Sequence, residues 1–269
     1  MPVYLDNAAT TRVCPEAARA ALEAMTEGYG NPSSGYALGQ AAAAALKEHR
    51  AAVAGRLGCA PEELIFTSCG TEGDNWAVRA AAEYGRRKGR HIITTAIEHA
   101  AVLEPVKALA AQGYEVTYLK PDRSGHVSPD ALRAALRPDT VLVSMMLVNN
   151  ELGTVLPVAQ AARLVRRLGS SALIHCDGVQ GFLKIPFTPA ELGVDLLTVS
   201  GHKIHAPKGI GGLVHPPGGL KLPAPESGAA GRRRACAPAQ RPPPRSRPLP
   251  RRCGRGRPPG RQTSGTWPG

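Results

Sequence analysis

Aromatic residues are scarce in this sequence: 3 Phe, 2 Trp and 6 Tyr make up 4% of its 269 residues. The core must therefore be built mainly from Ala, Leu and Val, within a hydrophobic fraction of 43% that suits a globular protein. No run of about 18 apolar residues occurs, which excludes a membrane-spanning helix.

Metal-binding and secretory patterns are missing as well. No two of the six cysteines form a CxxC pair and their spacing fits no zinc module, so we expect no metal site. The six are Cys14, Cys59, Cys69, Cys176, Cys236 and Cys253. The first residues lack the basic start and the apolar stretch of a signal peptide. We therefore expect a cytoplasmic protein with reduced thiols.

The formal charge of +12 at first suggests a nucleic-acid partner, but one segment supplies it. Residues 214–269 carry a net charge of +11, whereas residues 1–213 carry only +1. The same 56 residues hold 13 of the 25 prolines and show almost no aliphatic periodicity. We expect a folded domain over 1–213 and a disordered Arg/Pro-rich tail over 214–269, which cannot build a core.

Short apolar runs alternate with helical patterns between residues 60 and 213. Six runs predict buried strands, at 64–67, 91–94, 115–119, 141–144, 172–175 and 196–199. Helices are predicted at 15–26, 39–57, 71–87, 99–112 and 157–168, and another opens at Ser128 as N-cap. This alternation predicts an α/β fold, with a mostly parallel sheet flanked by helices on both faces.

Ligands of open parallel sheets bind at the carboxyl ends of the strands, and polar segments follow several predicted strands. Gly70 and Thr71 open a helix after the first strand, where free N–H groups and the helix dipole favour a phosphate. Asp177 follows another strand and is suited to keep a pyridinium nitrogen protonated. Taken alone, the first segment also fits an ordinary capped helix start and the second an ordinary turn.

Lys203 follows the last predicted strand, within Ser200-Gly201-His202-Lys203. A lysine there is suited to form a Schiff base with an aldehyde cofactor, while Ser200 and His202 are suited to bind its phosphate. An isolated lysine is, however, usually a solvated surface group.

Two further segments add polar side chains at predicted strand ends. The pair Asn149-Asn150 suits both a plain turn and the orientation of a polar ligand. His99 opens a helix, so it suits a helix cap, or stacking on an aromatic cofactor with proton transfer near neutral pH.

Joined together, these segments resemble the cysteine desulfurases, a class V aminotransferase branch of the fold type I enzymes that use pyridoxal 5'-phosphate (PLP). The resemblance covers about residues 1–213 in the family's order. It is carried by YLDNAATT at 4–11, GNPSS at 30–34, FTSCGTEGDN at 66–75, EH at 98–99, NNELG at 149–153, DGVQ at 177–180 and SGHKIHAPKG at 200–209.

The resemblance implies a role for each matching position. Lys203 is the Schiff-base lysine and His99 the histidine that stacks on the ring and moves protons. Phosphate contacts fall to Gly70, Thr71, Ser200 and His202, the pyridinium partner is Asp177, and Gln180 and Asn150 contact the ring hydroxyl and the substrate side. It also implies a homodimer that converts L-cysteine to L-alanine and passes the sulfur through an enzyme cysteine to an acceptor or iron–sulfur scaffold protein.

The resemblance stops after Leu213, where the family continues into a small C-terminal domain with a carboxylate-binding Arg and the persulfide cysteine. We interpret 214–269 as the product of a shifted reading frame in GC-rich DNA and expect impaired activity. A related class V enzyme such as a selenocysteine lyase stays open as an alternative. So does an inactive remnant whose basic tail binds nucleic acid, although Trp267 alone offers no stacking platform.

Overall fold

A computed structural model describes residues 3–215 of the chain. The tail expected at 214–269 therefore lies almost entirely outside the described residues, as do Cys236, Cys253 and Trp267. Within 3–215, no helix combines the length and apolar character needed to cross a membrane.

Within residues 3–215, seven strands form one sheet. They are β1 (Leu64–Thr67), β2 (His91–Thr95), β3 (Glu115–Leu119), β4 (Thr140–Ser144), β5 (Leu173–Asp177), β6 (Leu196–Ser200) and β7 (Gly211–Val214). Their order across the sheet is β1-β7-β6-β5-β4-β2-β3. The neighbouring strands β3 and β2, β2 and β4, β4 and β5, and β5 and β6 pair in parallel. Strand β7 is antiparallel to both of its neighbours, β1 and β6. The prediction of a mostly parallel sheet is confirmed.

Seven α-helices accompany the sheet in the described part of the chain. They are α1 (Pro15–Thr26), α2 (Ala37–Leu57), α3 (Gly70–Gly85), α4 (Ala100–Ala110), α5 (Pro129–Ala135), α6 (Val158–Arg167) and α7 (Pro189–Leu192). The sequence predicted the first six to within two residues at most ends, and Ser128 caps α5 by accepting from the Asp130 N–H at 3.2 Å. The four-residue helix α7 was not predicted, because it is too short to show a helical period.

Side chains that alternate along each strand face two different apolar layers. Ile92, Leu142, Leu173 and Leu196 pack with residues of α3 and α4. Their neighbours along the strands, such as Ile93 and Ile174, pack on the other face with residues of α5, α6 and α7. The sheet is therefore covered on both faces, and the cores consist mainly of Ala, Leu, Val and Ile, as the scarcity of aromatics required.

Strand β7 was not predicted as a strand. Its sequence, Gly-Gly-Leu-Val, begins with two residues of low strand propensity and is too short for a clear alternation. It forms because it fits between β1 and β6 and pairs with both, with Gly211 opposite Thr67 on one side and Ser200 on the other. It ends at Val214, one residue past the predicted end of the domain.

The N-terminal part of the chain has a different character from the sheet. Helix α1 has no buried residue, and large apolar side chains before it, along it and after it face solvent. They are Val3, Tyr4, Leu5, Leu22, Met25, Tyr29 and Tyr36. These exposed residues are called the N-terminal apolar surface below.

Candidate active site

One cavity of about 270 Å³ opens at the carboxyl edge of the parallel strands. Its wall contains all the residues to which the sequence assigned a role at the site, which is the placement expected for an open α/β sheet. Those residues are Gly70, Thr71, His99, Asn150, Asp177, Gln180, Ser200, His202 and Lys203. Ala9, Cys69, Asp74, Met146 and Val179 complete the wall.

The end of the cavity at the start of α3 is suited to an anion. Gly70 is the first residue of that helix, so backbone N–H groups without helical partners lie there. A Cβ atom at position 70 would lie only 2.8 Å from Cγ2 of Val179, so glycine is what gives the backbone room here. The buried hydroxyl of Ser200 has no hydrogen-bond partner in the described structure. A phosphate in this end of the cavity would supply the missing acceptor.

Asp177 ends β5 and lies buried at the floor of the cavity. One of its carboxylate oxygens accepts the Val179 N–H at 2.9 Å. Burial and the negative charge of Asp74 raise the pKa of Asp177 to about 7, although the Val179 N–H, His175 and His99 act in the opposite direction. A carboxyl group with this pKa ionises readily when a cation approaches it.

Lys203 is partly buried and lies in a short 3₁₀ turn, Gly201–Lys203, directly after β6. Its Nζ donates hydrogen bonds to the carbonyl oxygens of Ala8 and Ala9, the second at 2.7 Å. Burial and the nearby charge of Lys184 lower its pKa, whereas Asp177 and Asp6 raise it. A lower pKa increases the fraction of neutral amine, which is the nucleophilic form.

The segment of residues 8–14, the N-terminal strap, lies against the turn that carries Lys203. Thr11 donates to the His202 carbonyl through both its N–H and its hydroxyl, each at 2.9 Å. The Thr11 hydroxyl also accepts the His205 N–H at 2.7 Å, and the Cys14 N–H donates to the His205 carbonyl at 3.0 Å. These bonds explain how residues nearly 200 positions apart in sequence form one wall.

His99 has both of the features that the sequence left as alternatives. It is the N-cap of α4, where Nδ1 accepts the Ala101 N–H at 3.1 Å, and its side chain also lines the cavity. The capping bond fixes the ring at the cavity wall. This bond occupies Nδ1 as an acceptor, so Nε2 is the nitrogen that remains for contact with a ligand.

The two adjacent asparagines have separate positions. Asn149 is buried, donates to the Ile97 carbonyl at 2.9 Å and accepts the Leu152 N–H at 2.8 Å, so it holds the loop. Asn150 lines the cavity. Gln180 also lines it and donates to the Ala8 carbonyl at 2.8 Å, which joins the floor of the cavity to the N-terminal strap.

Sequence reasoning assigned no role to Asp74, although it lies in the same segment as Gly70 and Thr71. It is buried in α3 and lines the cavity. Its position one helical turn after Gly70 is a signal that would have placed it beside the same ligand.

The chain matches the model of the family described as aminotransferase class-V over residues 3–229. A cysteine desulfurase of Trichormus azollae is 48% identical over 211 residues, which cover 78% of this chain and 52% of the relative. The cysteine desulfurase IscS of Methanosarcina thermophila is 46% identical over 211 residues, with the same coverage of both chains. The chain thus spans about half the length of these curated relatives.

Solved structures agree with the sequence matches. A NifS-like protein superposes with a TM-score of 0.83 at 40% identity, covering 87% of this chain and 64% of that one. DndA from Streptomyces lividans superposes with a TM-score of 0.74 at 41% identity, covering 88% of this chain and 67% of that one. By its family match and by its fold, this chain belongs to the class V aminotransferase family.

Proposed function

We propose that residues 3–215 form the PLP-binding part of a cysteine desulfurase. The observation that carries the proposal is the presence of Lys203, Asp177 and the start of α3 in the wall of one cavity. These three supply an amine for an aldehyde, a carboxylate for a ring nitrogen and N–H groups for a phosphate. Relatives of 46–48% identity that bear the name cysteine desulfurase support the choice of reaction.

Each part of the cofactor has a matching group in the cavity. The phosphate would be held by Gly70, Thr71, Ser200 and His202. Asp177 would bind the ring nitrogen, Lys203 would bond to the aldehyde carbon, and His99 would stack on the ring face. Gln180 and Asn150 would contact the ring hydroxyl and the substrate side. When bound, PLP would accept the electron pair that the breaking bond leaves on the substrate carbon.

The protein's own contribution is binding, orientation and control of protons. Because burial lowers the pKa of Lys203, this side chain would be available as a neutral, nucleophilic amine more readily than a solvated lysine. An ionised Asp177 would keep the ring nitrogen protonated. His99, fixed through Nδ1 by the N-cap bond, would carry its proton on Nε2 and present it as a hydrogen-bond donor at the substrate side.

We extend the proposal to L-cysteine as substrate, L-alanine as product and a sulfur acceptor or iron–sulfur scaffold protein as partner, on the strength of the named relatives. A homodimer and a reducing, cytoplasmic setting belong to the same proposal. The four cysteines among the described residues are free thiols, which suits such a setting. In the family that the chain resembles, a carboxylate-binding Arg and a persulfide cysteine belong to a small C-terminal domain after the part that matches residues 1–213, and full activity would need that domain.

The absorption spectrum of the purified chain with added PLP tests the cofactor proposal. We expect a band near the visible edge in the wild type and its loss in Lys203→Ala, because Lys203 is the only lysine in the cavity wall among residues 3–215. Lys184→Ala is the matched control, since Lys184 lies close by and donates to Gln180 at 3.0 Å. This control should keep the band. A folded wild-type chain without the band would overturn the proposal.

A further inference from the structure

A chain of hydrogen bonds connects an exposed lysine, Lys184, to the amine of Lys203. The Nζ atom of Lys184 donates to Gln180 Oε1 at 3.0 Å, and Gln180 Nε2 donates to the Ala8 carbonyl at 2.8 Å. The same Ala8 carbonyl accepts from Lys203 Nζ. Gln180 and Lys203 line the cavity, whereas Lys184 lies behind Gln180 and outside the cavity wall.

The turn after β5 brings Lys184 back to Gln180. The Lys184 N–H donates to the Gly181 carbonyl at 3.0 Å, and the buried side chain of Phe182 anchors the turn in the apolar core. Between them, Leu183 adopts a left-handed φ of +57°, a conformation that costs energy in any residue but glycine. The Leu183 side chain is itself 59% exposed. The strained backbone therefore directs the path of the chain, and this path places Lys184 beside Gln180.

The two partners of the Gln180 amide require the same orientation. A lysine ammonium only donates hydrogen bonds and a backbone carbonyl only accepts them, so Oε1 faces Lys184 and Nε2 faces Ala8. A reversed amide would bring two donors together at Lys184 and two acceptors together at Ala8. The Nε2 atom carries two hydrogens and Ala8 accepts one of them, so the second is left for a ligand in the cavity.

The surroundings of Gln180 make the bond from Lys184 difficult to replace. Gln180 is only 8% exposed, so water has little access to its amide. A hydrogen bond from a charged donor is also stronger than one between neutral groups. Lys184 has a second effect on the cavity through its charge, which adds to burial in lowering the pKa of Lys203. The hydrogen bond and the charge are separable by experiment, because only the hydrogen bond acts through Gln180.

We propose that Lys184 is a positioning residue for the cofactor: through Gln180 it fixes a hydrogen-bond donor toward the ring hydroxyl of PLP. This role rests on the proposed function, because it concerns how Gln180 meets that hydroxyl. Lys184 forms no bond with the cofactor itself, so the PLP band still forms in Lys184 variants when PLP is saturating. What changes is the affinity for PLP and the wavelength of the band.

A double-mutant cycle on PLP affinity tests this role. Lys184→Met removes the donor and keeps most of the length of the side chain, and Gln180→Met removes the amide through which the effect passes. In the wild-type background, Lys184→Met should weaken PLP binding about fivefold and shift the absorption maximum. In the Gln180→Met background, the same change should alter the affinity by less than about twofold. An effect of the charge alone would persist in that background.

Two variants serve as controls for the cycle. Lys184→Arg keeps a charged donor, so it should bind PLP within about twofold of the wild type and retain the absorption maximum. Arg56 lies on the other side of the same turn, where it lines a separate cavity of about 260 Å³ together with Lys184. Arg56→Met removes a nearby positive charge but no bond to Gln180, so it should leave both values unchanged.

Trypsin cleavage of the cofactor-free chain measures the same link without PLP. The bond from Gln180 holds Ala8 and with it the N-terminal strap. Lys184→Met should therefore speed cleavage after Arg12 about threefold, and it should have no further effect when combined with Gln180→Met.

The outcomes separate this role from the proposed function. If the wild type forms the PLP band but Lys184→Met binds PLP normally, or if its effect persists in the Gln180→Met background, the role of Lys184 is overturned and the proposed function stands. If the wild type forms no band, the proposed function fails and the role toward the ring hydroxyl falls with it. Faster cleavage after Arg12 would then establish only the link between Lys184 and the strap.

Discussion

At the scale of single residues, one added methyl group would test how closely the backbone must approach the cofactor phosphate. A Cβ atom at position 70 would lie 2.8 Å from Val179 Cγ2 and 3.4 Å from Ser200 Cβ, so Gly70→Ala must displace one of these neighbours. We expect PLP affinity to fall about tenfold, equivalent to about 1.4 kcal/mol, as measured by titration of the absorption band.

The control for this change is another helical glycine. Gly55 lies within α2, and a Cβ atom there meets nothing within 4 Å. Gly55→Ala should leave PLP affinity unchanged and raise the free energy of unfolding by about 0.5–1 kcal/mol. Equal affinities for Gly70→Ala and the wild type would show that the phosphate lies elsewhere.

The sequence indicated which residues lie at the cavity, but it did not indicate which other side chains surround them. The common position of Lys203, Asp177 and Gly70 in one cavity wall could be predicted, because each lies at a strand end and within a family motif. The separate positions of Asn149 and Asn150 could not, since two identical neighbours differ only in what the folded chain places around them. Asp74 was missed for the same reason: its burial depends on the close contact between α3 and β6.

At the scale of elements, the N-terminal strap depends on Thr11. This side chain is 6% exposed and makes one hydrogen bond as donor and one as acceptor to the turn after β6. Thr11→Val keeps the shape but leaves the His205 N–H without its acceptor. We expect the free energy of unfolding, measured with urea, to fall by about 1–3 kcal/mol. Trypsin should also cleave faster after Arg12, which lies in the strap.

Thr26→Val is the matched control for the strap. The Thr26 hydroxyl bonds to the Leu22 carbonyl within exposed helix α1, so its loss should change stability by less than about 0.5 kcal/mol. It should also leave cleavage after Arg12 unchanged. A Thr11→Val chain as resistant to trypsin as the wild type would mean that other contacts hold the strap.

Element types were predictable where a period extends over enough residues. Six strands and six helices show such periods, and the structure contains all of them. Strand β7 and the contact of the strap with the turn at 201–205 depend instead on partners distant in sequence. Local propensity carries no information about such partners, so the order of the strands also had to come from the structure.

At the scale of the whole molecule, the N-terminal apolar surface exposes large apolar side chains to solvent. Val3 and Leu5 are more than four-fifths exposed, and Leu22 and Met25 add to them along α1. Each large apolar side chain left in water forfeits about 1.5–3 kcal/mol. Apolar patches of this kind mark surfaces that other protein segments cover.

We expect the 269-residue polypeptide on its own to bind the dye ANS and to associate with itself as its concentration rises. Leu22→Lys combined with Met25→Lys should weaken both effects, measured by dye fluorescence and by sedimentation velocity. Leu168→Lys is the matched control, because Leu168 is an exposed leucine at the end of α6, far along the chain from this surface. That control should associate as the wild type does.

The Arg-rich segment 214–269 offers a second route to association, and the dependence of association on salt distinguishes the two routes. At about 1 M salt the Debye length falls to about 3 Å, so attraction through the arginines is screened. Contact between apolar side chains does not weaken under these conditions. Association that persists in high salt and is lost in the double variant therefore belongs to the N-terminal apolar surface. If high salt abolishes association in the wild type, the charged segment is responsible and this surface is not.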